Sequence, residues 1–395
     1  MVEFPVYNIL SLATHRLASL FSNNVSLEIS SRLTSILLSL GSAFLIYLIS
    51  FQISRNYLAA VFSLSVFLFL PFSIYYSRTL LPEPTAVFFL LLTLYLYPRH
   101  LFFSSIPFAL AILVKPYTAI LLFPPLIFYT FSLHYFPRRF SLLILFSLTS
   151  LLPFALWRLW IRQFPEGIPA AGWLLNEGGL RLRPAWFRWL FFERIGKLIL
   201  GVYGAVPLFL GFAHRSRHSP HLFLSLIIGV LLYFLIIARG NIQHDYYQFL
   251  IIPYLSLIIG SGLYYLAAFV FPQRLVSFSV IFLLSVFSLA FSWYQIQEYY
   301  RINNPVIVKA GQTADRLLPS NALVIAPYNG DTAFLYQTNR SGFPIEIYDF
   351  NHLFSLYSAY PLYYISTNYN DYTNEMAAKY PAIFRSSEFI ILKIN

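Results

Sequence analysis

The 395-residue chain contains no cysteine. That excludes disulfides, iron–sulfur clusters, thiol nucleophiles and zinc-ribbon sites. Charge is scarce as well: Asp, Glu, Lys and Arg together make up 10% of the residues, against about 25% in soluble domains. So few charges cannot cover a water-facing surface of this size, which excludes an ordinary cytosolic enzyme. Acid is the scarcer sign, with 15 residues against 26 basic ones. What the chain has is apolar bulk, 58% hydrophobic and 19% aromatic, too much for a disordered polymer. The net charge of +11 would suit a nucleic-acid partner only if its distribution were ignored. Here the sign of charge follows membrane topology, and no nucleic acid is expected.

A membrane-crossing helix needs about 20 apolar residues. Ten charge-free intervals stand out: 33–54, 56–77, 84–98, 100–114, 116–137, 140–157, 198–214, 218–238, 246–273 and 275–297. Those at 84–98 and 100–114 are short enough to be half-spans that dip in and return. Alternate loops between the intervals carry Arg55, Arg99, Arg138 with Arg139, Arg215 with Arg217, and Arg274, and no acid. By the positive-inside rule these loops are cytoplasmic. All the acids then fall on the other side, among them Glu3, Glu28, Glu83, Glu166, Glu177, Glu193 and Asp245. The expectation is an all-α polytopic bundle of about ten spans or half-spans over 1–294, in an inner (plasma) membrane. With residues 1–30 outside and no helix ahead of them, a missing upstream span is expected too.

Three outer blocks remain. Residues 5–21 read as an interfacial amphipathic helix. A loop at 158–194 interleaves Trp160, Trp173, Trp186 and Trp189 with Arg158, Arg162, Arg181, Arg183, Arg188 and Arg194, suited either to lying on headgroups or to binding phosphate. From 295 to 395 the composition shifts to a small extracytoplasmic α/β domain. There Ile307, Ala310, Ala314 and Leu317 have helical spacing, and strands are expected at 322–327, 333–338, 345–350, 362–366 and 389–394. Asn329-Gly330 and Ser341-Gly342 read as turns.

Ionisable residues at helix ends in a membrane protein are costly and often functional. Topology collects several on the outer face: Glu3 in VEFPVY, Arg78 and Glu83 in YYSRTLLPEP, Lys115 in LVKPYT, and His244 and Asp245 ahead of Tyr246 and Tyr247 in QHDYYQF. Each alone has an ordinary explanation: Glu83 as a carboxylate at a helix N-terminus, Lys115 as a snorkelling amine, His244–Asp245 as a solvated loop pair. Together they supply carboxylates for activating a hydroxyl or holding a divalent metal, and cations for neutralising phosphate. With an aromatic-lined bundle for an isoprenoid chain, these parts suit sugar transfer from a lipid-phosphate donor.

Several stretches, EFPVYNIL (3–10), SRLTSILLSLGSAFLIYLI (31–49), LFLPFSIYYSRTLLPEPTAVFFLLLTLYLY (68–97), ALAILVKPYTAILLFPPLIFY (109–129) and HDYYQFLIIPYLSLIIGSGL (244–263), resemble the polytopic glycosyltransferases of the C superfamily, in the group of protein O-mannosyltransferases and lipid A aminoarabinose transferases. The resemblance implies a GT-C-like fold and an inverting transfer from a polyprenyl-phosphate sugar to a lipid, glycan or protein acceptor. It implies Glu3 and Glu83 as the catalytic acids, and Lys115, Arg78, His244, Asp245, Tyr246 and Tyr247 around the donor phosphate. A divalent metal on Glu3, Glu83 or Asp245 is a further option, and no nucleotide cofactor is implied. Relatives of this kind begin with another helix and an outer loop whose acid is the usual catalytic base. None precedes Glu3, so the base is expected on a missing segment, the alternatives being that Glu3 or Glu83 substitutes or that the chain is inactive alone. A polysaccharide polymerase or ligase using lipid-linked donors would share this chemistry. A non-enzymatic lipid or sugar flippase would instead call for internal repeats and midplane charges, neither of which stands out.

Overall fold

The computed structural model describes residues 3–22, 25–132, 140–165, 172–214, 220–301, 304–357 and 359–395. Arg138, Arg139, Arg215, Arg217 and Glu166, used above to orient the chain, lie outside them, as does the Trp173 side chain. The chain divides into two compact units, Met1–Tyr300 and Arg301–Asn395.

The first unit is helical: α1 Val6–Ser19, α2 Leu27–Ser54, α3 Tyr57–Phe69, α4 Pro71–Tyr76, α5 Glu83–Leu96, α6 Ser105–Val114, α7 Thr118–Ser132, α8 Phe140–Ile161, α9 Gly172–Leu175, α10 Pro184–Phe187, a π-helical segment Arg188–Ile199, α11 Ala205–Ala213, α12 Pro220–Ile236, α13 Ala238–Gln243, a 3₁₀ turn Asp245–Ile251, α14 Ile252–Tyr265 and α15 Arg274–Ile296. Among the described residues, α2, α8, the stretch Asp245–Val270 and the helix beginning at Arg274 are long and apolar enough to cross a membrane. The others are shorter. The interval 56–77, read as one span, breaks at Leu70, whose non-helical backbone (ψ 123°) precedes Pro71, because a proline disfavours the α conformation in the residue before it.

Around an apolar core, helices of this unit bury hydroxyls and expose large apolar side chains, the reverse of a water-soluble surface. Helix α2 turns Ser31, Thr34, Ser35, Ser39 and Ser42 inward while Leu33, Leu37, Leu40 and Phe44 face out. Helix α15 buries Ser277, Ser288 and Ser292 and exposes Phe278, Phe282 and Phe287. Where the surroundings are lipid, apolar side chains gain nothing by turning inward, whereas hydroxyls find partners only there. Ser288 and Ser292 accordingly donate to the Leu200 and Leu198 carbonyls at 2.7 and 2.8 Å. Helix α1 obeys the same rule: Tyr7 donates to the Ser31 carbonyl at 3.1 Å and Thr14 accepts from Thr34 at 2.8 Å, while Leu12 and Leu17 point outward. The protein is an integral membrane protein.

At the centre runs α14, buried on nearly all sides. Small residues let it sit close to its neighbours. A Cβ on Gly262 would lie 1.8 Å from the Pro207 carbonyl of α11, and one on Gly260 would lie 2.1 Å from the Ser63 hydroxyl of α3.

Helix α2 measures the bundle. Near its start Arg32 donates to the Arg78 carbonyl, and near its end Arg99 donates to Gln52. Twenty residues at 1.5 Å each separate these contacts by about 30 Å, the thickness of a bilayer's hydrocarbon core. Arg78 and Arg99 thus belong to opposite ends of the bundle.

The second unit contains α16 Pro305–Leu317, β1 Leu323–Ile325, α17 Ala333–Gln337, β2 Ser341–Phe343, α18 Phe350–Tyr357, β3 Leu362–Ser366, α19 Asp371–Lys379, β4 Ala382–Arg385 and β5 Ile390–Lys393. The strand order is β2-β1-β3-β5-β4, with β2, β1 and β3 parallel and β5 and β4 antiparallel. Strand alternation fills two cores: Val324 and Ile365 pack with Ala310 of α16 and Phe334 of α17, while Ile325 and Tyr364 pack with Leu353 of α18 and Met376 of α19.

Expectations at 322–327, 362–366 and 389–394 correspond to β1, β3 and β5. Residues 333–338 instead hold α17, just ahead of which the Asp331 carboxylate accepts from the Ala333 amide at 2.8 Å. Residues 345–350 form no strand. Ser341-Gly342, read as a turn, lies in β2, where a Cβ on Gly342 would come within 1.8 Å of the Val324 carbonyl, so this pairing needs a glycine. Asn329-Gly330 is a turn, both residues having positive φ (53° and 79°).

Candidate active site

Lys115 follows α6 in extended conformation (φ −143°, ψ 102°), because Pro116 ends the helix there. The N-terminal segment is tied beside it, the Phe4 amide donating to the Leu113 carbonyl at 3.0 Å. Glu83 occupies the first turn of α5, where the helix dipole favours a carboxylate. These three local features converge. Lys115 Nζ lies 2.8 Å from Glu3 Oε1 and 3.0 Å from Glu83 Oε1. Lys115 and Glu83 are almost completely enclosed (7% and 1% exposed), whereas Glu3 is 32% exposed. Among the described residues, neither Glu83 Oε2 nor the buried Tyr117 hydroxyl has a hydrogen-bond partner.

Tyrosines ring the ammonium. Its Nζ lies 5.7 Å from the Tyr117 ring centre and 5.6 Å from that of Tyr247, within cation–π range. Tyr247 also meets the His244 ring at 5.6 Å and Tyr246 at 4.8 Å. The Tyr247 carbonyl accepts from Tyr233 at 3.2 Å. The structure thus gathers Glu3, Glu83, Lys115, His244, Tyr246 and Tyr247 at one end of the bundle.

Asp245 heads a second cluster. Its Oδ1 accepts from Tyr76 at 2.8 Å, and its Oδ2 accepts from Arg194 at 3.2 Å and from Tyr299. Arg78 lies over the Tyr300 ring at 4.5 Å, and Tyr300 meets Tyr75, the neighbour of Tyr76. The three acids considered for a metal are therefore split: two hold Lys115 and the third holds Arg194. Among the described residues no group of three or more His, Asp or Glu side chains is arranged to hold a metal ion.

Sequence reading missed Tyr76, Tyr117, Tyr233 and Tyr299, and did not single out Arg194 from the other loop arginines. A signal existed for two of them, since Tyr76 lies two residues before Arg78 and Tyr117 two after Lys115. Tyr233 and Tyr299 are brought in only by the packing of distant helices.

An apolar groove of about 470 Å³ lies between the π-helical segment, α11, α12 and α14, with Phe191, Phe192, Phe209 and Leu231 among its walls. Arg194, on the same segment as Phe191 and Phe192, reaches Asp245.

No protein-family model and no curated protein matches the sequence. Solved structures do. The crystal structure of ArnT from Cupriavidus metallidurans bound to undecaprenyl phosphate matches with a TM-score of 0.67 at 12% identity, over 99% of this chain and 87% of that one. The chain has the ArnT fold. Apo ArnT from the same organism matches equally, with a TM-score of 0.68 at 13% identity over the same shares. ArnT is a lipid A aminoarabinose transferase of the GT-C architecture, and the likeness includes the helical bundle with its small mixed-sheet domain.

Proposed function

We propose that this protein transfers a sugar from a polyprenyl-phosphate donor to an acceptor hydroxyl on the extracytoplasmic side of the membrane, with inversion at the sugar carbon. The observation that carries the reading is the enclosed Lys115 ammonium held by two carboxylates of unequal exposure. The ArnT fold, found in a protein crystallised with undecaprenyl phosphate, and the apolar groove support it.

One ammonium between two carboxylates leaves the cluster with an excess negative charge. A donor phosphate adds more, so one carboxylate has to leave Lys115 as the phosphate arrives. Glu3 is the partly exposed partner and is released, while enclosed Glu83 keeps the amine in place. The freed Glu3 carboxylate takes the proton of the acceptor hydroxyl. The acceptor oxygen bonds to the anomeric carbon as the bond from that carbon to phosphate oxygen breaks, and polyprenyl phosphate departs with the electron pair. Charge grows on the leaving phosphate during this step, so a fixed ammonium stabilises the transition state more than the ground state. The groove takes the isoprenoid chain.

The test is release of polyprenyl phosphate from labelled undecaprenyl-phosphate pentose and hexose donors by membranes carrying the protein. Lys115→Ala is expected to slow it by about 100-fold or more, the range found for removing one charge-stabilising group. Undiminished release by a folded Lys115→Ala protein would end the proposal.

A further inference from the structure

The carboxyl-terminal unit contains a polar crevice of about 510 Å³, within the roughly 300–1,000 Å³ range of small-molecule sites. Its position follows from the topology. After β1 the chain turns to α17 on one face of the sheet; after β3 it turns to α19 on the other. Adjacent parallel strands whose connections diverge in this way open a gap beyond their carboxyl ends, the usual ligand position in open α/β sheets. Tyr328, Asn329 and Gly330 wall it from β1, and Ser366, Asn368 and Asn370 from β3.

The walls are held firmly. Tyr328 and Gly330 both donate their amides to the Pro344 carbonyl, at 3.1 and 3.2 Å. Ser366 Oγ donates to the Asn368 carbonyl at 2.8 Å and accepts from its amide at 3.1 Å. Glu346, also in the wall, has both carboxylate oxygens fixed, by Asn370 at 3.1 Å and Tyr348 at 2.7 Å. Among the described residues nothing hydrogen-bonds the side-chain amides of Asn329 and Asn368, which remain free to meet a ligand.

We propose that this crevice binds a neutral saccharide. Amide side chains offer a donor and an acceptor side by side, matching sugar hydroxyls, which both give and accept. The Glu346 carboxylate has lone pairs left to accept from hydroxyls, and Tyr328 adds an aromatic residue to the wall. Among the described residues no Lys, Arg or His lines the crevice, so a phosphorylated or acidic ligand would face Glu346 without a counter-charge. This site goes beyond the transfer reading and does not depend on it.

The experiment uses the full-length protein in lipid nanodiscs and the probes maltotriose, cellotriose and triacetylchitotriose, with glucose 6-phosphate as the anionic probe. Binding is read by saturation-transfer NMR and equilibrium dialysis with no donor present. At least one trisaccharide is expected to bind with a Kd below about 10 mM, more tightly than glucose 6-phosphate. Asn368→Ala and Asn329→Gly should each weaken that binding about fivefold or more. Both leave the backbone bonds of their turns in place, and glycine suits the positive φ at 329. Absence of trisaccharide binding, tighter binding of glucose 6-phosphate, or affinities unchanged in both variants would overturn the assignment. Since no transfer is measured, failure here leaves the role of Lys115 standing, and the converse holds as well.

Discussion

Lys115 Nζ and Glu83 Oε1 stand 3.0 Å apart with almost no access to solvent, although 31 residues separate them in the chain. Charges so enclosed are stable only as partners. Taking away one partner of a buried pair costs about 3–5 kcal/mol because the other charge is left uncompensated. Lys115→Met strands two carboxylates, whereas Glu83→Gln leaves the ammonium with Glu3. Thermal unfolding in detergent should therefore rank wild type above Glu83→Gln and Glu83→Gln above Lys115→Met. The double variant should be more stable than Lys115→Met alone. A double variant that unfolds first would contradict the pairing.

Glu3 differs from Glu83 in being one-third exposed. Glu3→Gln is expected to shift the unfolding temperature little and to cut donor turnover by about 100-fold or more, the usual effect of losing a general base. Turnover and unfolding measured on the same preparation separate this outcome from simple destabilisation.

The Asp245 cluster has a graded signature. Tyr76→Phe removes one hydrogen bond to the carboxylate and should cost about 1 kcal/mol. Asp245→Ala removes the acceptor shared by Tyr76, Tyr299 and Arg194 and should cost more than twice that, since a partly buried guanidinium then loses its counter-charge. Equal losses in the two variants would show that the carboxylate does not join the three donors.

Helix packing gives a contrast between two glycines. A Cβ on Gly262 meets the backbone carbonyl of Pro207 at 1.8 Å, while one on Gly41 meets only the Phe88 ring at 2.7 Å. A ring can swing aside and a helix backbone cannot. Gly262→Ala is expected to cost at least the roughly 1–3 kcal/mol of overpacking, and Gly41→Ala distinctly less, read as yield of monodisperse protein and unfolding temperature.

The apolar intervals, the breaks between them and the change of composition near residue 300 were all legible in the sequence. Lipid solvation depends on composition within a short window, so it can be summed along the chain. The conspicuous helix-end charges, Glu3, Glu83 and Lys115, were legible for the same reason: a charge amid apolar residues is noticeable without a structure. Short runs such as 333–338 were not legible, because an apolar hexapeptide suits a helix turn or a strand alike, and packing of Phe334 against Ala310 of α16 belongs to the tertiary structure.

Sequence alone determined that this is a membrane-embedded helical chain with a small α/β unit and a few costly charges at helix ends. The tertiary structure decided which charges meet. Pairing Lys115 with two acids, and Asp245 with Arg194, Tyr76 and Tyr299, depends on the rotation and depth of each helix. Those are set by contacts such as Gly262 against Pro207 and Ser288 against Leu200, between residues far apart in the chain, where local composition carries no information.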